Sequence, residues 1–203
     1  MPAGEGQATL AGVAVHAPRA DVTQLLAAYS GGDKEAFAEL FRLLYADLRR
    51  RASRQLDAWG GGKTLNTTSL VNEAYLKLVD QKQLSARDRG HFLAVAANAM
   101  RNIIVDYARA RLASKRGGGR SNLSLDAEAH EIAVEDEAEQ LVNLDLLLGK
   151  LGAIDERLTQ VVECRFFAGL TEEETAAALD TPLRTVQRDW VRARAWLRTN
   201  LEG

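Results

Sequence analysis

Residues 169–198 have the sequence GLTEEETAAALDTPLRTVQRDWVRARAWLR, which predicts two helices joined by a tight turn. Thr171 and Glu174 stand at the spacing of a capping box, in which each side chain binds the backbone N–H of the other residue, so the first helix begins here. Asp180 lies in the turn. Pro182 suits the start of the next helix, because proline lacks an N–H that this position would leave unpaired. The stretch therefore predicts either an αα-hairpin or a helix-turn-helix.

The second helix of this pair is predicted to be apolar on one face and basic on the other. Its apolar face, at three- and four-residue spacing, consists of Leu183, Val186, Trp190, Ala193 and Leu197. We expect the Trp190 side chain to be buried. The opposite face carries Arg184, Thr185, Gln187, Arg188 and Arg192. Such a basic face favours a reader of the DNA major groove, although an ordinary αα-hairpin would leave the same face to solvent.

The rest of the sequence also has helical periodicity, and sustained period-two alternation is lacking. We therefore predict an all-α fold with two small helical domains, residues 21–116 and residues 136–203, of which the second contains the helix-turn-helix. A run of three glycines and a charge-rich stretch predict a flexible linker at residues 117–135. Residues 1–20 are predicted to be a disordered tail.

Four helices are predicted within the first domain, at about residues 21–29, 33–54, 67–79 and 91–114. Gly31 and Gly32 end the first helix, and Asp33 caps the second. An arginine cluster closes the second helix at Arg54, where cations complement the helix dipole.

Charge is segregated along the chain, although the net charge is only -2. Residues 21–116 hold 16 Lys and Arg against 10 Asp and Glu, a net charge of +6. Residues 117–143 hold one Arg against seven Asp and Glu, a net charge of -6. Residues 144–203 hold eight Lys and Arg against ten Asp and Glu, a net charge of -2, and the two charges before residue 21 cancel. Residues 182–199 nevertheless hold five arginines and one aspartate. Two basic blocks thus flank an acidic connector, a pattern that is compatible with a nucleic-acid partner.

The sequence lacks the residue patterns of a metal site, a cofactor site or an active site. Cys164 is the only cysteine and the three histidines lie far apart, so we expect neither a disulfide nor a metal centre. The sequence GGGKT at residues 60–64 resembles the end of a phosphate-binding loop, but Asp57 stands where that motif requires glycine. We expect no cofactor and no enzymatic activity.

The N-terminal residues predict neither a membrane span nor a signal peptide. The longest early uncharged stretch, residues 6–18, has 13 residues, whereas a spanning helix needs about 20 apolar ones. Glu5 is the only charged residue before Arg19, so the basic start of a signal peptide is missing. We expect a cytoplasmic protein without a membrane partner.

Three motifs resemble those of the extracytoplasmic-function (ECF) sigma factors of bacterial RNA polymerase, within the sigma-70 family. They are LVNEAYLKL at residues 70–78, HFLAVAANAMRNIIVDYARAR at residues 91–111, and the stretch at residues 169–198. They follow the family's order and spacing, and the resemblance extends over about residues 22–201. It implies a first domain that binds core polymerase and melts the -10 promoter element, and a second domain that reads the -35 element. The implied partners are promoter DNA and the clamp and flap surfaces of core RNA polymerase.

The resemblance also implies three sets of binding residues. The set for the -35 element is Arg184, Thr185, Gln187, Arg188 and Arg192. The set for the -10 element is Arg87, His91, Phe92, Asn98, Arg101, Asn102 and Arg109. The set for core polymerase is Leu70, Asn72, Glu73 and Lys77. We expect Gln187 or Arg188 to read bases and Arg184 and Arg192 to hold phosphates. Phe92 either stacks on an unpaired base or belongs to the core.

Three positions depart from the family pattern. Asp180 stands where many members have glycine, and Thr175 stands where an aliphatic residue is usual. The larger departure is at residues 66–69, Asn-Thr-Thr-Ser, where members commonly carry acids that face the polymerase clamp.

The hydroxyls of this last segment suggest control by phosphorylation. A phosphate adds about -1.5 to -2 charges, which a helix N-terminus stabilises. We expect a Ser/Thr kinase to modify Thr67, or next Thr68, in place of control by an anti-sigma protein, and Ser69 is a third candidate. The alternative is that one of these hydroxyls caps the helix.

Two further expectations concern the linker and the competing function. The linker is expected to be extended on polymerase and mobile in the free protein, where its acids could fold back on the basic faces.

The alternative function is a helix-turn-helix transcription regulator that does not act as a sigma subunit.

Overall fold

The chain is described by a computed structural model over residues 19–58, 65–79, 86–116 and 125–201. Within these ranges it is helical and contains no strand, which confirms the predicted all-α class. The helices are α1 Arg19–Ser30, α2 Lys34–Ala58, α3 Thr67–Val79, α4 Arg89–Arg116, α5 Leu125–Ile154, α6 Glu156–Val162, α7 Glu172–Ala178 and α8 Leu183–Leu201. A π-helical turn, Glu163–Phe167, continues α6. Most of the predicted tail and the GGGKT segment lie outside the described residues.

Helices α1 to α4 pack around an aromatic cluster with Phe37 at its centre. The Phe37 ring centroid lies 4.8 Å from that of Tyr29, 5.4 Å from that of Tyr75 and 6.3 Å from that of Phe92. The Phe92 side chain is fully buried, at 0% exposure, because it lies on the side of α4 that faces α2. The assignment of Phe92 as a base-stacking residue is therefore wrong, and the core alternative is correct.

Local sequence signals set the boundaries of these helices. Gly32 ends α1 with a φ of 100°, and the Asp33 carboxylate accepts from the backbone N–H groups of Glu35 and Ala36 at 3.0 and 3.2 Å, which confirms the predicted cap of α2. Helix α2 continues past Arg54 to Ala58, contrary to prediction, because its last turns are held by burial. Arg51 and Gln55 are buried there, and the exposed cations Arg49, Arg50 and Arg54 do not stop the helix.

Helices α7 and α8 are joined by a short connection, residues 179–182. Thr171 and Glu174 form both bonds of the capping box, at 3.1 and 2.9 Å. Asp180 in the turn has a φ of 50°, the left-handed conformation in which glycine is favoured. Trp190 is partly buried and packs against the core, so the expectation of a buried indole is confirmed only in part; the neighbouring Asp189 is fully buried.

The first group of helices, α1 to α4, packs directly against the second group, which consists of α5 to α8 and the π-helical turn. Helix α4 lies against α5, the π-helical turn and α7, and the buried apolar side chains form one continuous cluster across both groups. Helix α5 begins at Leu125, so it includes residues 125–135, the latter part of the predicted linker. This segment has no glycine or proline and is rich in Ala and Glu, which are strong helix formers. Residues 117–124 lie outside the described residues.

Candidate nucleic-acid interface

Helix α8 carries an exposed polar row that contains the residues predicted for the -35 element. The side chains of Arg184, Gln187, Arg188 and Arg192 are exposed, and Thr185 is half-buried. Val186 and Ala193 on the other side of the helix are fully buried. The burial of one side of α8 therefore fixes which side faces outward. We call Arg184, Gln187, Arg188 and Arg192 the α8 row.

A buried carboxylate lies beneath the α8 row. Asp189 is 0% exposed and accepts from Arg157 Nε at 2.6 Å, while Arg188 Nε lies 3.3 Å and Arg192 Nη1 3.5 Å from its Oδ1 atom. Burial opposes ionisation of this carboxyl, but the hydrogen bond and charge of Arg157, reinforced by Arg188, hold the pKa of Asp189 below its usual value. The carboxylate thereby fixes two arginines of the row to the helix.

Asp189 was not among the predicted site residues, although the sequence contains a signal for it. Asp189 lies three residues after Val186 and four before Ala193, so helical spacing assigns it to the buried face. A charged residue at such a position requires a partner. The partner, Arg157, is 32 residues away in the sequence, and only the fold identifies it.

Gln187 is also held by a residue of the neighbouring helix. Its Nε2 atom donates to Glu172 Oε2 at 2.9 Å, and Glu172 lies in the first turn of α7. The amide that we expect to read bases is therefore oriented by a hydrogen bond between α8 and α7.

The residues predicted for the -10 element have different environments in the fold. Arg87, Asn102 and Arg109 are exposed, and His91 and Asn98 are half-buried. Phe92 lies in the core, as described above. Arg101 has a side chain that is only 12% exposed, because α5 and the π-helical turn cover it. The fold therefore places these residues on α4 and just before its start, without leaving all of them accessible.

His91 is tied to the start of α4. Its Nδ1 atom accepts from the backbone N–H of Arg87 at 3.4 Å, and its own N–H donates to the Asp88 carboxylate at 2.9 Å. Burial, and next the charge of Arg87, lowers the pKa of the His91 imidazole below its usual value. This environment favours the neutral imidazole of His91 over its protonated form.

Only part of the predicted polymerase-binding set on α3 is accessible. Leu70 is fully buried among the α1–α4 core, so its assignment as a contact residue is wrong. Asn72 is exposed, Glu73 accepts from the Tyr107 hydroxyl at 2.9 Å, and Lys77 pairs with an α4 carboxylate at 3.1 Å. Leu76, which was not predicted as a contact residue, is 61% exposed on the same helix.

The N-terminus of α3 is capped by Asn66, which was not among the predicted caps. The Asn66 side-chain oxygen accepts from the backbone N–H of Ser69 at 2.9 Å. In the described part of the chain, none of the hydroxyls of Thr67, Thr68 and Ser69 makes a hydrogen bond that would cap this helix. Thr68 is exposed, whereas Thr67 and Ser69 are half-buried.

An apolar groove lies between α5, the π-helical turn and α8. Its lining includes Leu144, Phe166, Val191 and Leu197, of which Phe166 and Val191 are 53% and 67% exposed. Trp190 also lines the groove, and the guanidinium groups of Arg165 and Arg194 each lie over its ring, 5.6 Å from the centroid. An exposed apolar groove of this kind is typical of a protein-binding surface.

Metal-binding clusters and membrane spans are both missing from the described part of the chain. Among these residues, no group of His, Cys, Asp and Glu side chains could hold a metal ion. No helix in the described ranges has the length and apolar character needed to cross a bilayer.

Comparison with known proteins identifies the family. The solved structure of CnrH in complex with the cytosolic domain of CnrY is similar to this chain, with 19% sequence identity and a TM-score of 0.38. The alignment covers 90% of this chain and 97% of the chain in that structure. No curated protein matches the sequence. The model of one family, described as ECF sigma factor, matches residues 19–203. Because that match spans nearly the whole sequence, the chain belongs to the ECF sigma factor family.

Proposed function

We propose that this sigma factor brings core RNA polymerase to promoters by reading the -35 element with α8 and the opened -10 element with α4. The observation that carries the proposal is the α8 row, which is exposed on a helix whose other side is buried. Arg188 and Gln187 have the donor and acceptor groups needed to read base edges in the major groove. Arg184 and Arg192 would hold phosphates and set the register of the helix.

The -35 assignment can be tested with a double variant of the reading residues. Gln187→Ala with Arg188→Ala should relax the sequence preference selected from a random duplex library, because each base contact contributes about 1 to 3 kcal/mol of discrimination. Arg194→Ala is the matched control, since it removes a charge from the groove side of α8. An unchanged -35 preference in the double variant would contradict base reading by these residues.

The partners that we propose are core RNA polymerase and promoter DNA. The exposed residues Asn72, Leu76 and Lys77 of α3 would contact the clamp, and the apolar groove beside α8 would accept an apolar segment of the flap. A protein that bound the same DNA but did not support initiation by core polymerase would instead be a transcription regulator.

We further propose that a Ser/Thr kinase switches this sigma factor on at the N-terminus of α3. The first turn of α3 contains no acidic residue, so it would pair poorly with a basic surface on the clamp. Because Asn66 caps the helix, the threonine hydroxyls are not needed for capping. The exposure of Thr68 makes it more accessible than Thr67, the first candidate on sequence grounds. A phosphate at either residue would add negative charge at the positive end of the helix dipole.

The switch is tested by the affinity of the sigma factor for core polymerase. The comparison includes the unmodified protein, the protein phosphorylated at Thr67 or at Thr68, and the variants Thr67→Ala and Thr68→Ala. Thr199→Ala, at an exposed position of α8, is the control. We expect one phosphoprotein to bind at least about tenfold more tightly, equivalent to about 1.4 kcal/mol. Full binding and initiation by the unmodified protein, or weaker binding after phosphorylation, would exclude the switch and point to an anti-sigma protein.

A further inference from the structure

We infer that in the free protein the two groups of helices are closed against each other. In this state Asp145 of α5 and Glu163 of the π-helical turn form ion pairs with the α4 arginines that the -10 element would need. This inference rests on the proposed function of α4 in binding DNA. It adds that the C-terminal helices and the DNA compete for the same side chains, so that the two groups of helices must separate before α4 can bind a promoter.

Arg101 is the centre of the closed arrangement. Its Nη1 atom lies 3.0 Å from Asp145 Oδ1, and its Nη2 atom lies 3.5 Å from Glu163 Oε1. Its guanidinium also lies over the Phe167 ring, 5.4 Å from the centroid. A side chain from the first group of helices is thus enclosed by two carboxylates and an aromatic ring from the second.

Arg109 extends the same contact along α4. Its Nη2 atom lies 2.8 Å from Asp145 Oδ2, so one carboxylate binds two arginines that are about two helical turns apart. A carboxylate and a phosphate present similar oxygen acceptors to a guanidinium. Asp145 therefore occupies positions that DNA phosphates would take on this face.

The contact between the two groups extends beyond these ion pairs. Gln55 of α2 donates through Nε2 to the carbonyl oxygens of Ala97 and Phe167, both at 3.2 Å, which joins α2 and α4 to the π-helical turn. The Arg54 guanidinium covers Gly169, where an added Cβ would lie only 2.8 Å from its Nη1 atom. Arg87 lies 3.7 Å from the Asp180 carboxylate in the turn before α8. The N-terminal end of α4 therefore also lies close to the second group of helices, although Arg87 itself stays exposed.

The two carboxylates do not contribute equally to closure. Burial raises the pKa of Glu163, although the charge of Arg101 opposes this rise, so its ionised form is held less firmly. Asp145, by contrast, binds both Arg101 and Arg109 directly, at 3.0 and 2.8 Å. We therefore assign Asp145 the larger part in closure, with Glu163 in support.

Closure is measured by the distance between labels on the two groups of helices. Spin labels can be attached to Lys34→Cys on α2 and Thr199→Cys on α8, both at exposed positions. The native Cys164 is buried, which raises the pKa of its thiol to about 12 and makes it slow to react with the reagent. We expect one narrow distance distribution in the full-length protein, and a broader and longer one after Asp145→Asn with Glu163→Gln.

Competition is measured with a fluorescein-labelled single-stranded DNA of mixed sequence, without polymerase. The double variant should bind this DNA about tenfold more tightly than the unaltered protein, within the usual range of coupling between two states. The control is Asp136→Asn with Glu139→Gln, which makes the same charge change at two exposed positions of α5. The control should change the affinity by less than about twofold, because two screened surface charges have little effect.

Each result decides a different part of the inference. A broad distance distribution in the unaltered protein, or equal effects of the double variant and its control, would overturn the closed state. If the distances lengthen but none of the proteins binds the DNA, then the proposed DNA face of α4 is wrong, and the competition is overturned with it. Longer distances together with tighter DNA binding in the double variant alone would support the whole inference.

Discussion

Arg157 of α6 donates through Nε to the Asp189 carboxylate of α8 at 2.6 Å, and this carboxylate is fully buried. Arg157 itself is 41% exposed, so the pair joins a buried position on α8 to a solvated position on α6. The ion pair fixes α8 against α6 and orients the α8 row at the same time.

Asp189→Ala should lower the free energy of unfolding by about 1 to 3 kcal/mol, because it removes hydrogen bonds to charged groups and leaves Arg157 without its buried partner. The partial exposure of Arg157 keeps the loss below that of a fully buried pair. Urea denaturation measures the change. Asp136→Ala, at an exposed position of α5, is the control and should change the unfolding free energy by less than about 0.5 kcal/mol.

The contribution of Asp189 should also depend on pH. Its folded pKa lies below the ordinary value of 3.8, so its stabilising effect is complete above that pH and is lost as the pH falls through the lower, folded value. The difference in unfolding free energy between the unaltered protein and Asp189→Asn should be constant from about pH 5 to pH 7 and shrink on further acidification. A difference that grows below about pH 4 would contradict the assignment of a charged Asp189.

Asp180 should tolerate glycine better than alanine. Its φ of 50° costs a residue with a Cβ about 1 kcal/mol or more, whereas glycine has no such cost. Asp180→Gly should therefore be more stable to urea than Asp180→Ala. The same pair of substitutions at Asp136, inside α5, should give the opposite order, because glycine in a helix is about 1 kcal/mol worse than alanine. The same order at both positions would refute the left-handed turn.

Arg51→Met should stabilise the protein. Arg51 is 8% exposed, and its Nε and Nη1 atoms have no hydrogen-bond partner among the described residues. Burial, and next the charge of Arg54, lowers its pKa to about 10. Methionine preserves much of the length of the side chain without the unpaired donors, so we expect a gain of about 1 to 3 kcal/mol in the free energy of unfolding. Arg49→Met, at an exposed position on the same helix, should give no gain.

Local signals in the sequence predicted the helices and the turn before α8. The capping box at Thr171 and Glu174 and the cap at Asp33 need only residues within one helical turn, so they can be read directly from the sequence. The burial of Phe92 was also available from the sequence, because Phe92, Ala96, Ala99 and Ile103 share one face of α4.

The features that depend on distant residues could not be predicted in this way. Arg101 and Asp145 are 44 residues apart, and the same arginine reads as an exposed cation when only α4 is considered. Residues 125–135 follow a glycine run, are rich in charge and lack a sustained apolar period, which predicts a linker, although their composition of strong helix formers agrees with the observed helix. The pairing of α4 with α5 arises from tertiary packing, which periodicity does not encode.

Transcription by purified core RNA polymerase tests the central claim most directly. Three reactions combine the polymerase with a fragmented genomic DNA library. The first contains no sigma factor, the second contains this protein, and the third contains this protein after phosphorylation at Thr67 or Thr68. We predict new transcripts in at least one of the last two reactions, with start sites that share -35 and -10 sequences, and loss of the shared -35 sequence in the Gln187→Ala, Arg188→Ala variant. Binding to the library without new transcripts in any reaction would contradict the account.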